Sequence, residues 1–246
     1  TNTPVSSSNN IHIGTRNYNG SPQYYWQGKI SDVRIYNRAL TAAEVYTIYN
    51  PPGGDLIVDG LITKRTYDPL VVYYKLDDGS GTSATDSSGN GYTGTINGGA
   101  SWTNNRYREE NKCLNFDGTD DYIDLSSHAL ALADFSNGFT FTGWVLWDTT
   151  SGYSRILDFS SGGTNNNIII YHNLNTTSLV FNVMSGSNQS HTITSTGYIT
   201  TGVWIHVAVT FNNSNKKVII YKNGVLNKED TLAYSIANIN RTTSYI

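Results

Sequence analysis

The sequence predicts an all-β protein, a two-sheet antiparallel sandwich carrying one short helix. Three observations lead there. The 246 residues include 18 Tyr and 23 Gly and are 12% aromatic, while Asp, Glu, Lys and Arg make up only 14%, a balance that suits strands and turns better than charged helix faces. Short runs of β-branched and aromatic residues recur along the chain, each bordered by Gly, Asn, Asp or Ser. Between two such runs stands Asn223-Gly224, the pair that best tolerates the positive φ of a two-residue hairpin turn. A single core is the default at this length, since all-β sandwiches of this size are commonly one unit.

In chain order, the first element is the single helix candidate, Leu40 to Tyr49. Thr41 can cap it and Glu44, three residues later, can close a capping box, while Pro51 and Pro52 end it. From Pro51 to Pro69 the composition is that of a linker, although Leu56-Ile-Val58 and Leu61-Ile62 could form a short strand pair. Strands are predicted at Leu70–Leu76, Phe139–Trp147, Asn167–Tyr171, Leu179–Val183, Trp204–Phe211 and Lys217–Lys222, the last leading through Asn223-Gly224 into Val225-Leu226. The lone Cys113 lies in an alternating stretch, Lys112-Cys-Leu-Asn-Phe116, and reads as a buried small hydrophobe rather than a reactive thiol.

From Leu70 onward the chain resembles a laminin-G-like jelly-roll domain of the bacterial type, within the concanavalin A-like lectin and glucanase superfamily. The resemblance is carried by ordered motifs: Val71-Val-Tyr-Tyr-Lys-Leu-Asp-Asp-Gly-Ser-Gly81, Asp86-Ser-Ser-Gly-Asn-Gly-Tyr-Thr-Gly94, Leu114-Asn-Phe-Asp-Gly-Thr-Asp-Asp-Tyr-Ile-Asp124, Phe139-Thr-Phe-Thr-Gly-Trp144, Trp204-Ile-His-Val-Ala-Val-Thr-Phe211 and Tyr221-Lys-Asn-Gly224. The segment that closes such a domain stands at the other end of the chain, as Ile11-His-Ile-Gly14 and Gly28-Lys-Ile-Ser-Asp-Val-Arg-Ile-Tyr-Asn-Arg-Ala-Leu40. The resemblance therefore implies a two-sheet antiparallel jelly roll in permuted order. Residues 1–50 supply the closing strands and helix, 51–69 a linker, and 70–246 the main body. Such an order arises in a circular permutant that closes on itself, or in a window of a tandem array whose closing segment completes a neighbouring chain by strand addition.

Composition and motifs also bound the chemistry. The net charge is −3 with no basic run longer than Lys216-Lys217, which argues against nucleic acid as a partner. No apolar run approaches the ~20 residues of a membrane span. Glu44, Glu109, Glu110 and Glu229 form no strand-borne Glu-x-Asp-x-Glu pattern, and the nearest carboxylate cluster, Asp120-Asp121-Tyr-Ile-Asp124, reads as turn chemistry. The histidines at 12, 128, 172, 191 and 206 are scattered, without a serine elbow, a cysteine partner or zinc spacing. His206, between Ile205 and Val207, reads as a hydrogen-bonded core or edge histidine. No enzyme is expected.

Two sites remain as expectations. The Gly-rich turn Asp86-Ser-Ser-Gly89-Asn90-Gly91 offers the hard oxygens a structural calcium wants, and by matching position the resemblance adds Asp32, with Asp77 and Asp78 as further candidates. The alternative is a pair of tight turns with Asx capping and no ion. For carbohydrate, whose rings stack on aromatic faces, the candidates are Tyr24, Tyr25 and Trp26, with Tyr153 and Trp102 behind them; Trp144 and Trp204 read as core. The sequence thus reads as an extracellular or cell-surface non-catalytic binding or adhesion module, its partner a glycan or a surface protein. The alternative is a structural repeat of an extracellular fibre or adhesin, self-associating head to tail by strand exchange. The low charge and the near absence of Cys and Met suit an exposed protein.

Overall fold

A computed structural model describes residues 10–18, 21–50, 70–125, 135–160, 167–185 and 189–235. The strands of the first half are β1 (Asn10–Ile13), β2 (Arg16–Tyr18), β3 (Ser21–Gln23), β4 (Gln27–Tyr36), β5 (Leu70–Tyr74), β6 (Ser83–Ala84), β7 (Gly94–Asn97), β8 (Ser101–Thr103), β9 (Cys113–Asp117) and β10 (Tyr122–Asp124). Those of the second half are β11 (Phe139–Trp147), β12 (Arg155–Ser160), β13 (Ile168–His172), β14 (Leu179–Ser185), β15 (Gln189–Ser195), β16 (Trp204–Asn212), β17 (Lys217–Lys222) and β18 (Val225–Thr231), and the helix α1 is Ala42–Tyr49. The first sheet runs β15-β14-β13-β12-β1-β10-β7-β6 and the second β18-β17-β16-β11-β4-β9-β8, with β5 also against β4; β2 and β3 form a separate hairpin.

Every strand pairing is antiparallel, and the two sheets enclose one large core: Ile11, Ile13 and Ile123 from the first sheet meet Ile30, Phe141 and Val209 from the second. The amino-terminal segment is built into the interior of both sheets of its own chain. β1 lies between β12 and β10. β4 pairs along one side with β11, and along the other with β9 through its first half and β5 through its second.

The hydrophobic phase of β4 explains its irregularity. Ile30, Val33 and Ile35 are all fully buried, yet Ile30 and Val33 are three apart and would face opposite sides of a regular strand. Asp32 absorbs the extra residue at φ 56°, and the register against β11 shifts between Thr142 and Trp144. Elsewhere alternation suffices. In β11, Val145 and Trp147 point inward while Trp144 is only half-buried, so Trp144 and Trp204, expected in the core, instead lie on the outer face of the second sheet, and the buried tryptophans are Trp26 and Trp147.

The helix has its predicted capping box: the Glu44 amide donates to Thr41 Oγ1, and the Thr41 amide to the Glu44 carboxylate. Its apolar side, Leu40 and Val45, packs on Ala208 and Tyr221 of the second sheet. The Asn223-Gly224 turn joins β17 to β18 with φ values of 51° and 74°. Cys113 is fully buried, and burial pushes its thiol up to about 11, as its inert reading requires. The linker and the strand pair proposed within it (51–69) lie outside the described residues, as does His128.

Candidate ligand-binding groove

The outer face of the first sheet carries a groove of about 340 Å³. Its walls begin with an irregularity in β12. The register against β13 shifts between Arg155 and Leu157, so Ile156 and Leu157 both enter the core, and Arg155 and Asp158 come to share the outer face although they are three apart. Arg155 then lies opposite Tyr171 on β13, and one position further in, Asp158, Ile169, Asn182 and Thr192 are successive cross-strand partners from β12 to β15. The β2–β3 hairpin lies beside β12, and Arg16 brings its Nε to 3.8 Å from Asp158 Oδ2. The Arg155 amide donates to the Tyr24 carbonyl, which sets Tyr24 at the rim next to Tyr153, the two rings meeting edge to face at 6.0 Å.

The floor of this groove is polar and buried. Arg155 is 5% exposed; its guanidinium lies 4.3 Å from the Tyr171 ring centroid and 5.0 Å from that of Tyr24, and one terminal nitrogen donates to the Tyr153 carbonyl at 2.6 Å. Its Nε has no acceptor. Burial is the main cause that pulls its pKa down to about 10, with Arg16 adding to the effect and Asp158 opposing it. The Asn182 amide group donates to Ser190 Oγ at 2.9 Å and Thr192 Oγ1 at 2.7 Å, while its buried Oδ1 has no donor. Buried polar atoms left in this state favour a ligand that completes them. Beyond Asp158 the same row continues to His12 and Asp124, with His12 fully buried between the two strands that carry the aspartates.

Of the residues expected to touch a ligand, Tyr24 and Tyr153 line this groove. Tyr25 lines an adjoining recess, and its hydroxyl donates to the Pro22 carbonyl. Trp26 is a correction: it is fully buried and packs against Trp147 at 5.0 Å, so it has no face to offer a sugar. Trp102 sits on β8 at the edge of the other sheet, its Nε1 donating to the Gly81 carbonyl. Arg16, Arg155, Tyr171 and Asn182 escape the sequence reading. Outward parity in their strands marks Tyr171 and Asn182, but which strands are neighbours does not show in the sequence, and Arg155 joins Asp158 on one face only through the bulge.

The residues expected to hold calcium lie in two places, Asp86 and Asn90 at the Gly-rich turn and Asp32 with Asp77 in a separate recess. Asp86 accepts four hydrogen bonds, from the amides of Tyr73, Ser88 and Tyr92 and from the Ser88 hydroxyl. Asn90 turns its amide nitrogen to the carbonyls of Leu70 and Val71. These are the contacts of the capped turn. Asp32 is on the far side of β5 from Asp86, since Tyr74 pairs with Val33 on one flank and bridges Asp86 on the other. It pairs with Arg34 at 3.1 Å. Asp32 and Asp77 meet in a recess of about 240 Å³ that Lys75, Arg106 and Lys112 also line, while Asp78 accepts from the Thr85 amide. Among the described residues, three ligand atoms of the metal-binding type come together only at Asp117, Asp120 and Asp121, where Asp121 already accepts the Asp117 amide.

No helix among the described residues is long and apolar enough to cross a membrane. A laminin G family model, described as the concanavalin A-like lectin/glucanases superfamily, matches residues 1–46 and 117–246. The first block contains β1 to β4, which close both sheets, and the second most of the main body, consistent with a permuted domain. No curated protein and no solved structure matches the chain.

Proposed function

We propose that this chain, which belongs to the concanavalin A-like lectin/glucanases superfamily, is a non-catalytic carbohydrate-binding module of an extracellular or cell-surface protein. The family supports a binding module in general. The carbohydrate reading rests on one observation: Tyr24, Tyr153 and Tyr171 frame a groove whose floor holds the unmatched Arg155 Nε donor and the unmatched Asn182 Oδ1 acceptor. Aromatic faces take the apolar side of a sugar ring, and buried donors and acceptors take its hydroxyls.

Binding rather than hydrolysis is favoured by the carboxylates. Asp158 is fully buried with Arg16 against it, and His12 fills the space between Asp158 and Asp124, where the water and sugar of a glycosidase would have to stand. The test is a glycan array followed by calorimetry on any hit. Tyr171→Ala is expected to weaken binding about tenfold or more while leaving the circular dichroism spectrum of the folded chain unchanged. Equal affinity in Tyr171→Ala and Tyr153→Ala would sink the reading.

A second reading, self-association by exchange of the closing segment, is favoured by the interior position of β1 and β4 together with the 51–69 connection to β5. Light scattering across a concentration series separates the two. Closure within one chain gives a constant monomer mass, whereas exchange gives growth into long assemblies.

A further inference from the structure

Among the described residues that line the groove, the charged ones are Arg16 and Arg155. Arg16 and Arg155 both approach Asp158, whose side chain is fully buried; Asp124, the next carboxylate on the face, lies two strands away beyond His12. The Arg155 guanidinium carbon lies over the rings of both Tyr24 and Tyr171, and its nitrogens are what it offers for a hydrogen bond. One terminal nitrogen is committed to the Tyr153 carbonyl, and the edge that carries Nε has a donor without an acceptor. A guanidinium edge of this kind fits the two oxygens of a carboxylate, which a single hydroxyl cannot match in geometry or charge.

We infer that the groove selects saccharides bearing a carboxylate, the uronic acids, with the carboxylate set against the Nε edge of Arg155. The inference deepens the carbohydrate reading above and rests on it. The ring next to the carboxylate stacks on the tyrosine frame, and a hydroxyl of a second ring donates to Asn182 Oδ1. The strands that carry Arg155 and Asn182 are separated by β13 alone, roughly 10 Å, a distance that two linked rings cover. Lys75, Arg106 and Lys112, in the recess of the other sheet, already have Asp32, Asp77 and Glu109 around them and offer no comparable imbalance.

The experiment is calorimetric titration of the unaltered chain with uronic-acid trisaccharides of gluco, galacto and manno configuration. Each is matched by its carboxyl-reduced form, which differs only in carrying a primary alcohol. The expected result is binding of at least one uronate about tenfold or more tighter than its reduced partner, an advantage that shrinks as salt is raised. Arg155→Lys should retain part of the advantage and Arg155→Met none; the paired ligands decide the matter even if a variant fails to fold. Equal affinity for both members of every pair overturns the inference and leaves the carbohydrate reading standing. Absence of binding by all of them overturns both.

Discussion

His206 shows what a single buried side chain does to the pH response. It is 1% exposed beneath Tyr49 and Trp144, its backbone amide bonds to Asn223, and its Nδ1 has no partner. Burial, reinforced by the charges of Arg34 and Arg106, lowers its pKa to about 3. In the unfolded chain it takes a proton near the ordinary histidine value of about 6.5, so between that pH and about 3 the unfolded state binds the extra proton and stability falls with falling pH. Between pH 7 and pH 5 this group alone should cost about 2 kcal/mol, measured as the shift in urea midpoint, and His206→Gln should flatten that part of the profile. Gly28 is a second decisive residue. At φ 139° a Cβ there would stand 2.1 Å from the Leu146 carbonyl oxygen, in backbone that cannot withdraw. Gly28→Ala is expected to destabilise by about 2–4 kcal/mol, read by urea denaturation.

At the scale of elements, the helix was legible because its signals are local. Thr41 and Glu44 satisfy each other's backbone amides whatever the rest of the chain does, and Thr41→Ala should cost about 1 kcal/mol in urea denaturation. The strands at Phe139, Leu179, Trp204 and Lys217 were legible for the same reason, since alternation marks the two faces within each strand. The bulges in β4 and β12 were not. Ile30 and Val33, or Arg155 and Asp158, reveal an inserted residue only when the partner strand and the buried side are known. This is why the sequence placed Trp26 among candidate ligand residues and passed over Arg155. The face of a residue beside a bulge or a turn is a tertiary property.

For the whole molecule, β1 and β4 are interior strands, so removing residues 1–50 opens both sheets at the middle and exposes the core on each side. The chain without them is expected to lose cooperative thermal unfolding, and a peptide of those residues added in trans should restore it. The family's own order can be tested directly. Ile11, Phe159, Ile168, Val183 and His191 are successive partners across the first sheet, and the Ala233 amide donates to His191 Nδ1, so the two ends of the described fold are separated by four strand spacings, roughly 19 Å. A chain re-cut within 51–69 and joined from Ile246 to Thr1 should fold with an unchanged circular dichroism spectrum and a midpoint close to the original.

The sequence by itself determined the fold class, the helix and its cap, the Asn223-Gly224 hairpin, the buried Cys113 and the permuted order of the family's motifs. All of these depend on contacts a few residues apart or on the order of motifs along the chain. Only the tertiary structure decided the groove. Arg16, Tyr24, Arg155, Tyr171 and Asn182 come from four strands and the turn after β3, and strand neighbours, bulge positions and the meeting of Arg16 with Arg155 follow from long-range packing of two sheets rather than from spacing along the chain.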